Sequence, residues 1–261
     1  MIESLHSPHI ARVKALIGSK GAKERRETGL FVAEGIQCAR EALTSKSGPK
    51  IKILYVTSLG LSKISEFNLD SIEVIEVSDA VMKAMSDTVS PQGLIALCYK
   101  PDDNFSELTG TGKSTFIYLF EIQDPGNAGT ILRTADAMGI SAIITSPESV
   151  DMYSPKVVRS TAGSLWNIPI YEGITFNQVE KQFPHIQKLL LSSHASTSIL
   201  DLSIDGDCIA IFGNEARGVD ASALGSSVTE VTIPMAGRAE SLNLSAAASI
   251  VMFTLSSKVA G

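Results

Sequence analysis

The residues best suited to do chemistry in this chain fall in three short stretches. The first is GNAGTILRTADAMG, residues 126–139, in which Asn127, Gly129 and Arg133 interrupt an apolar pattern. Ile131, Leu132, Ala135 and Met138 recur at helical spacing. Gly126 and Asn127 are turn and cap types, so the pattern predicts a helix that starts just before Ala128. Arg133 then lies in an early turn, at the positive end of the helix dipole, where a cation is misplaced unless helix and side chain share an external anion such as a phosphate. A solvated surface arginine is the plain alternative, and this stretch alone leaves the two even.

The second stretch, FGNEARGV, ends an apolar run with Gly213 and Gly218 bracketing Asn214 and Glu215. Strand ends in an open α/β sheet are where ligands bind; Gly213 would admit a ligand close to the backbone and Gly218 would permit a turn. A merely structural turn with a solvated Glu215 competes with that reading. The third, IPMAGRAESLNLSAAAS, carries Ser241 and Asn243 at the start of a helix lined with alanines. A helix cap explains one of these two residues but not both. Three strand ends bearing glycine and polar groups predict one composite pocket.

Other chemistries are disfavoured. TGTGKST, residues 109–115, resembles a phosphate-binding loop, but position 107 is Glu where that motif needs glycine, and the apolar strand follows rather than precedes it. No paired catalytic carboxylates, no Ser–His–Asp order and no dinucleotide fingerprint occur. Cys38, Cys98 and Cys208 are far apart, and the four histidines (His6, His9, His185, His194) form no ligand pattern and read as surface or packing residues. This disfavours a metal or a disulfide framework and predicts a reducing cytoplasm.

The elements that must position these residues read as two halves. With 261 residues, 44% of them hydrophobic, the chain suits one large domain or two smaller ones. No signal peptide and no run long enough to span a bilayer is visible. The first half opens with a basic helix near His9 to Ile17 and continues into LFVAEGIQCAREAL, a strand running into a helix. Further strands follow at IKILYVTS, SIEVIEVS and GLIALCYK, with VSDAVMKAMSD as a helix. Residues 100–114 are polar and aperiodic, as a linker would be. In the second half, strands TFIYLFEI, SAIITS, KLLLSSH, CIAIFGNE and EVTIPM alternate with helices, SPKVVRSTAGSLWNI and NLSAAASIVMFTLSSK among them. That alternation predicts an α/β, mostly parallel sheet. Net charge is −6, yet residues 1–26 carry six basic residues (Arg12, Lys14, Lys20, Lys23, Arg25, Arg26) against two acidic ones. A basic arm of net +4 on a body of −10 hints at nucleic-acid contact, with a solvated helix face at least as common.

Together the three stretches resemble the SpoU (TrmH-like) branch of the SPOUT RNA methyltransferases. Asn127, Gly129 and Arg133 are similar to the family's first motif, Gly213, Asn214, Glu215 and Gly218 to its second, and Ile233 through Ser245 to its third, in family order. Ala216 and Leu244 depart from the usual Gly and Val. The resemblance covers 116–261 strongly. Residues 1–105, with FVAEG, resemble more loosely the ribosomal-protein-like RNA-binding domain that often precedes the catalytic one; residues 106–115 would link them.

The resemblance implies an α/β fold with a C-terminal trefoil knot, and a homodimer with neither membrane nor metal. It implies transfer of a methyl group from S-adenosyl-L-methionine to a ribose 2′-hydroxyl of RNA, ribosomal RNA being favoured over transfer RNA because of the extra domain. A non-catalytic RNA-binding relative and another nucleotide-using α/β enzyme are the alternatives. Among the site residues, Arg133 would hold a phosphate beside the target ribose and orient the hydroxyl, while proton removal stays open because guanidinium hardly deprotonates. Asn127, Ser241 and Asn243 would arrange the reacting groups, and Glu215 would line the site. Gly213, Asn214, Gly218, Ile233, Met235 and Leu242 would hold the cofactor.

Overall fold

The computed structural model describes residues 1–259 apart from 103, 220–223, 225 and 226. Its residues group into two units, 1–102 with 151–167, and 103–150 with 168–261.

In the first unit, helix α1 (Pro8–Ile17) begins with Ser7 accepting a hydrogen bond from the His9 N–H and with Pro8 in the first turn, where its missing N–H costs nothing. Helix α2 (Gly21–Thr28), strand β1 (Leu30–Glu34) and helix α3 (Ile36–Thr44) follow. Strand β2 (Ile51–Val56), helix α4 (Ser58–Ser62), strand β3 (Glu73–Glu76), helix α5 (Asp79–Met85) and strand β4 (Leu94–Tyr99) complete this part of the chain. The sheet runs β1-β4-β2-β3, with β4 antiparallel to both neighbours and β2 parallel to β3. Val13, Leu16, Val32, Tyr55, Met85 and Leu97 fill one core.

Segment 151–167 builds another part of this unit. Trp166 and Tyr153 pack on Phe31 with ring centroids 6.1 and 5.0 Å away, and the Trp166 indole N–H donates to the Pro49 carbonyl at 3.0 Å. Burying one Trp side chain is worth roughly 4–6 kcal/mol of hydrophobic gain before entropy is counted. The single helix predicted for SPKVVRSTAGSLWNI is instead helix α7 (Pro155–Ser160) and a one-turn 3-10 helix at Ser164–Trp166. The break falls at Ala162 and Gly163, whose φ angles of +50° and +102° are incompatible with a right-handed helix. The basic arm is also smaller than its sequence suggests. Arg25 is buried, donating to Asp151 at 2.8 Å and to the Leu16 carbonyl, whereas Arg12, Lys14, Lys20, Lys23 and Arg26 stay exposed.

The second unit holds strand β5 (Thr115–Leu119), helix α6 (Pro125–Ala137), and strands β6 (Ala142–Thr145) and β7 (Ile170–Tyr171). Helix α8 (Phe176–Gln182), strands β8 (Gln187–Leu191), β9 (Cys208–Phe212) and β10 (Val228–Val231) and helix α9 (Leu244–Val259) follow. The sheet runs β10-β8-β9-β5-β6-β7 and every pairing is parallel. Central strands β5 and β9 are buried along their whole length, which is why they read as unbroken apolar runs. From β5 the chain steps outward through β6 and β7, then returns to build the other side through β8, β9 and β10. Leu119 and Phe212 end adjacent strands at this reversal, the usual place for a ligand in an open parallel sheet.

Residues 105–114 are not free chain. Phe105 packs on Tyr171 and Phe183, and the Ser114 N–H donates to Asp207 at 2.6 Å. TGTGKS thus ends in a pinned turn that leads into β5, with no helix after it.

Candidate active site

Helix α6 starts earlier than its sequence suggests. Asp124 is the cap, accepting from the Asn127 N–H at 2.7 Å, and Pro125 occupies the first turn, so Gly126 and Asn127 are already helical. Arg133 therefore lies in the third turn, beyond reach of the dipole argument, which holds only within the first turn. The anion at the entrance of α6 is internal. The Glu215 carboxylate accepts from the Gln123 N–H at 3.2 Å, the Asp124 N–H at 3.1 Å and the Asn127 amide at 3.3 Å. The shared-phosphate argument at the helix start fails for this reason. Arg133 is exposed and has no hydrogen bond or ion pair among the described residues.

Three distant stretches meet at Asn127. Its side-chain oxygen accepts from the Asn243 amide at 3.1 Å, while its own amide donates to Glu215. Asn243 also caps α9, its side-chain oxygen accepting from the Ser245 N–H at 2.9 Å and the Ser245 hydroxyl at 2.6 Å. One asparagine therefore serves both as the cap of α9 and as the link to Asn127. Both ends of this relay are fixed by backbone, which leaves Asn127 little rotational freedom.

Around the end of β9 the chain closes a tight turn. Asn214 is buried; its oxygen accepts from the N–H groups of Ala216 and Arg217 at 3.0 and 3.2 Å, and its amide donates to the Glu121 carbonyl at 2.9 Å. Gly218, at φ +64°, donates back to the Asn214 carbonyl at 2.8 Å. A Cβ on Gly213 would lie 2.5 Å from the Gly218 backbone and 2.7 Å from the Val219 nitrogen. The close approach expected of a ligand at Gly213 is made by the chain itself. Glu121 holds φ +51° and its carboxylate accepts from Arg217 at 2.7 Å, which ties the loop after β5 to the loop after β9.

Beside this turn opens a cavity of about 340 Å³. Gly213, Asn214, Glu215, Gly218, Ile233, Met235, Ser241 and Leu242 line it, and so do Arg217, Val219 and His194. Asn127, Arg133 and Asn243 do not; the first stretch joins the cavity through hydrogen bonds to Glu215 and Asn243. Ser241 is exposed on the cavity wall and makes no hydrogen bond among the described residues. His194, expected as a surface or packing residue, and its neighbours Leu191 to Ser193 close the end of β8. The strand-end rule applied to KLLLSSH would have found them. Among the described residues no group of side chains is placed to hold a metal, and no helix is long and apolar enough to cross a membrane.

Residues 114–253 match the SpoU rRNA Methylase family, and residues 8–96 match the MRM3-like substrate binding domain. The chain is 30% identical to the Bacillus subtilis 23S rRNA (guanosine-2′-O)-methyltransferase RlmP over 89% of its own length and 91% of the relative's. It is 26% identical to a 23S rRNA (uridine-2′-O)-methyltransferase of Streptomyces viridochromogenes over 92% and 86%. Among solved structures, the AdoMet-bound rRNA methyltransferase of Sinorhizobium meliloti superposes with a TM-score of 0.85 at 29% identity, covering 97% of this chain and 96% of that one.

Proposed function

The chain belongs to the SpoU rRNA methylase family, and we propose on that premise that it transfers a methyl group from S-adenosylmethionine to a ribose 2′-hydroxyl of ribosomal RNA. The observation that carries this reading is the Asn243–Asn127–Glu215 relay beside the cavity, which joins all three motif stretches. The cavity fits the cofactor in size and chemistry. Its volume of about 340 Å³ lies in the range of small-molecule sites, and it combines Val219, Ile233, Met235 and Leu242 with polar loop groups. These residues and the 213–218 turn would hold the cofactor, which when bound supplies an electrophilic methyl group.

This chain's own residues do the positioning. Asn127, locked by two partners, presents a fixed amide at the edge of the site. Glu215 braces the entrance of α6 and holds Asn127, a role its three donors leave little room to exceed. Arg133, without a partner among the described residues, would take an RNA phosphate bidentately and so orient the 2′-hydroxyl, and Ser241 stands on the cavity wall with no hydrogen bond among the described residues. Relatives 30% and 26% identical are named for guanosine and for uridine, so family membership does not by itself set the base.

The homodimer and the trefoil knot belong to the same proposal. Helix α9 buries Ala248, Val251, Met252 and Leu255, while Ile250 and Phe253 remain 40% and 61% exposed, an apolar face suited to a second copy of this chain. Three buried thiols suit a reducing cytoplasm. The test is to map 2′-O-methyl sites in total RNA from a strain lacking the gene, paired with calorimetry of S-adenosylmethionine on the purified protein. One missing 23S site and a binding isotherm are expected. A missing transfer-RNA site, or no binding, would overturn the reading.

A further inference from the structure

The sequence motif FVAEG has no part in the methyl-transfer site, yet its last two residues open a second cavity. It holds about 250 Å³ and lies wholly in the first unit, with Glu34, Ile36, Ser90, Gln92, Arg159 and Ala162 among its lining. The volume is below that of drug-sized sites and suits one planar heterocycle.

Its polar groups are sorted. The Glu34 carboxylate is spent on its own surroundings, accepting from Ser86, from the Thr88 hydroxyl at 2.5 Å and from the Asp87 N–H at 3.1 Å. Gln92 turns its oxygen to the Ile36 N–H at 2.8 Å, which leaves its amide N–H groups unengaged among the described residues. Arg159 gives one nitrogen to Asp87 at 2.9 Å, and its remaining donors are unengaged among the described residues. The cavity thus offers donors and has its one carboxylate satisfied. Its wall includes Ala162 at φ +50°, and non-glycine residues held in that region gather at ligand clamps.

We infer that this cavity takes one unstacked nucleotide of the RNA substrate, its base seated against Ile36 and Ala162 and its acceptor-bearing edge read by Gln92 and Arg159. The inference rests on the RNA reading proposed above and deepens it. Unpaired bases splayed out of a strand are the form in which proteins read RNA sequence, whereas a paired base cannot enter such a cavity. A fully paired duplex would meet only the exposed basic side chains of α1 and α2.

The experiment uses the full-length chain. An oligouridylate of about twelve nucleotides carrying 4-thiouridine is bound alone and as a duplex with oligoadenylate. Ser90→Trp fills the rim from an exposed position. Gln92→Glu keeps the acceptor for Ile36 and removes the donor. Both should weaken single-strand binding about tenfold and leave duplex binding and cofactor calorimetry unchanged. Arg12→Ala with Lys14→Ala should weaken both RNA forms and flatten their salt dependence. Irradiation should crosslink 4-thiouridine to peptides holding residues 34–38 or 88–92. If the chain binds RNA but both cavity variants bind the single strand like wild type, or the crosslinks fall elsewhere, the cavity inference is wrong and the RNA reading stands. If the chain binds neither RNA form, both are wrong.

Discussion

Strand β1 in the first unit ends on Glu34 with Gly35 after it, strand β9 in the second runs into Gly213, Asn214 and Glu215, and the two glutamates do different work. Glu34 is 8% exposed and its side-chain partners lie in the loop 86–88, so it pins the buried end of β1 to that loop. Glu215 is exposed, and its partners at residues 123, 124 and 127 come from about ninety positions away, so it fixes one motif against another. The arginines divide the same way. Arg25 is buried between Asp151 and a carbonyl, whereas Arg133 is exposed and engages nothing described. Buried Glu34 and Arg25 thus serve stability in the first unit, whereas exposed Arg133 leaves a charge available in the second.

The sharpest way to break this comparison is Arg133→Ala. A positioned charge that acts on the reacting hydroxyl typically contributes a hundredfold or more in rate, about 3 kcal/mol. Methyl incorporation should fall by that factor, while folding stability and calorimetric cofactor binding stay near wild type. Arg133→Lys should restore little, because an ammonium lacks the planar fork. A variant that loses the cofactor first would show that Arg133 belongs to the cofactor site.

Arg25→Ala should do the reverse. Removing one member of a buried pair leaves the other uncompensated, and Asp151 is 23% exposed, which softens the penalty to about 2 kcal/mol of stability. Urea unfolding of the two arginine variants side by side tests the division, and equal midpoints would erase it.

The glutamates give a finer test. Glu215→Ala frees Asn127 and should cost about tenfold in methyl transfer with little change in unfolding. Glu34→Ala removes the acceptor of the Ser86 and Thr88 hydroxyls and the Asp87 N–H, and should cost about 1–2 kcal/mol in unfolding with calorimetric cofactor binding intact.

The smallest effect concerns the thiols. Burial pushes Cys38 up to about 11 from an ordinary value of 9.0, so the folded chain keeps a proton that the unfolded chain loses above pH 9. Its contribution to stability is present below pH 9 and declines as pH rises toward 11. The stability gap between wild type and Cys38→Ala under reducing conditions should therefore narrow between pH 8 and pH 10. A gap that widens would place the thiol in a polar environment.

Much of this was legible in the chain. Apolar runs gave β5, β6, β8 and β9 because strands buried on both faces leave little other pattern, and the motif spacing marked Asn127, Glu215 and Asn243. The start of α6 is ambiguous in the sequence because Gly126 and Asn127 are turn types as good as Asp124 and Pro125, and the Asp124 cap decides between them. Helix α8 and strand β7 went unread, being short and held by packing: Phe176 lies against Tyr118, and Ile170 pairs with Ile143.

By itself the sequence determined which residue types stand at which strand ends, since hydrophobic period and turn chemistry are local. Only the tertiary structure decided their partners. Nothing in the order of residues says that Asn243 donates to Asn127, 116 positions away, or that Arg25 is withdrawn from the basic arm by Asp151. Hydrogen bonds and ion pairs act over about 3 Å, so which groups come within that reach is settled when the sheets form and the loops close, and the side chains left unengaged, Arg133 above all, are defined only then.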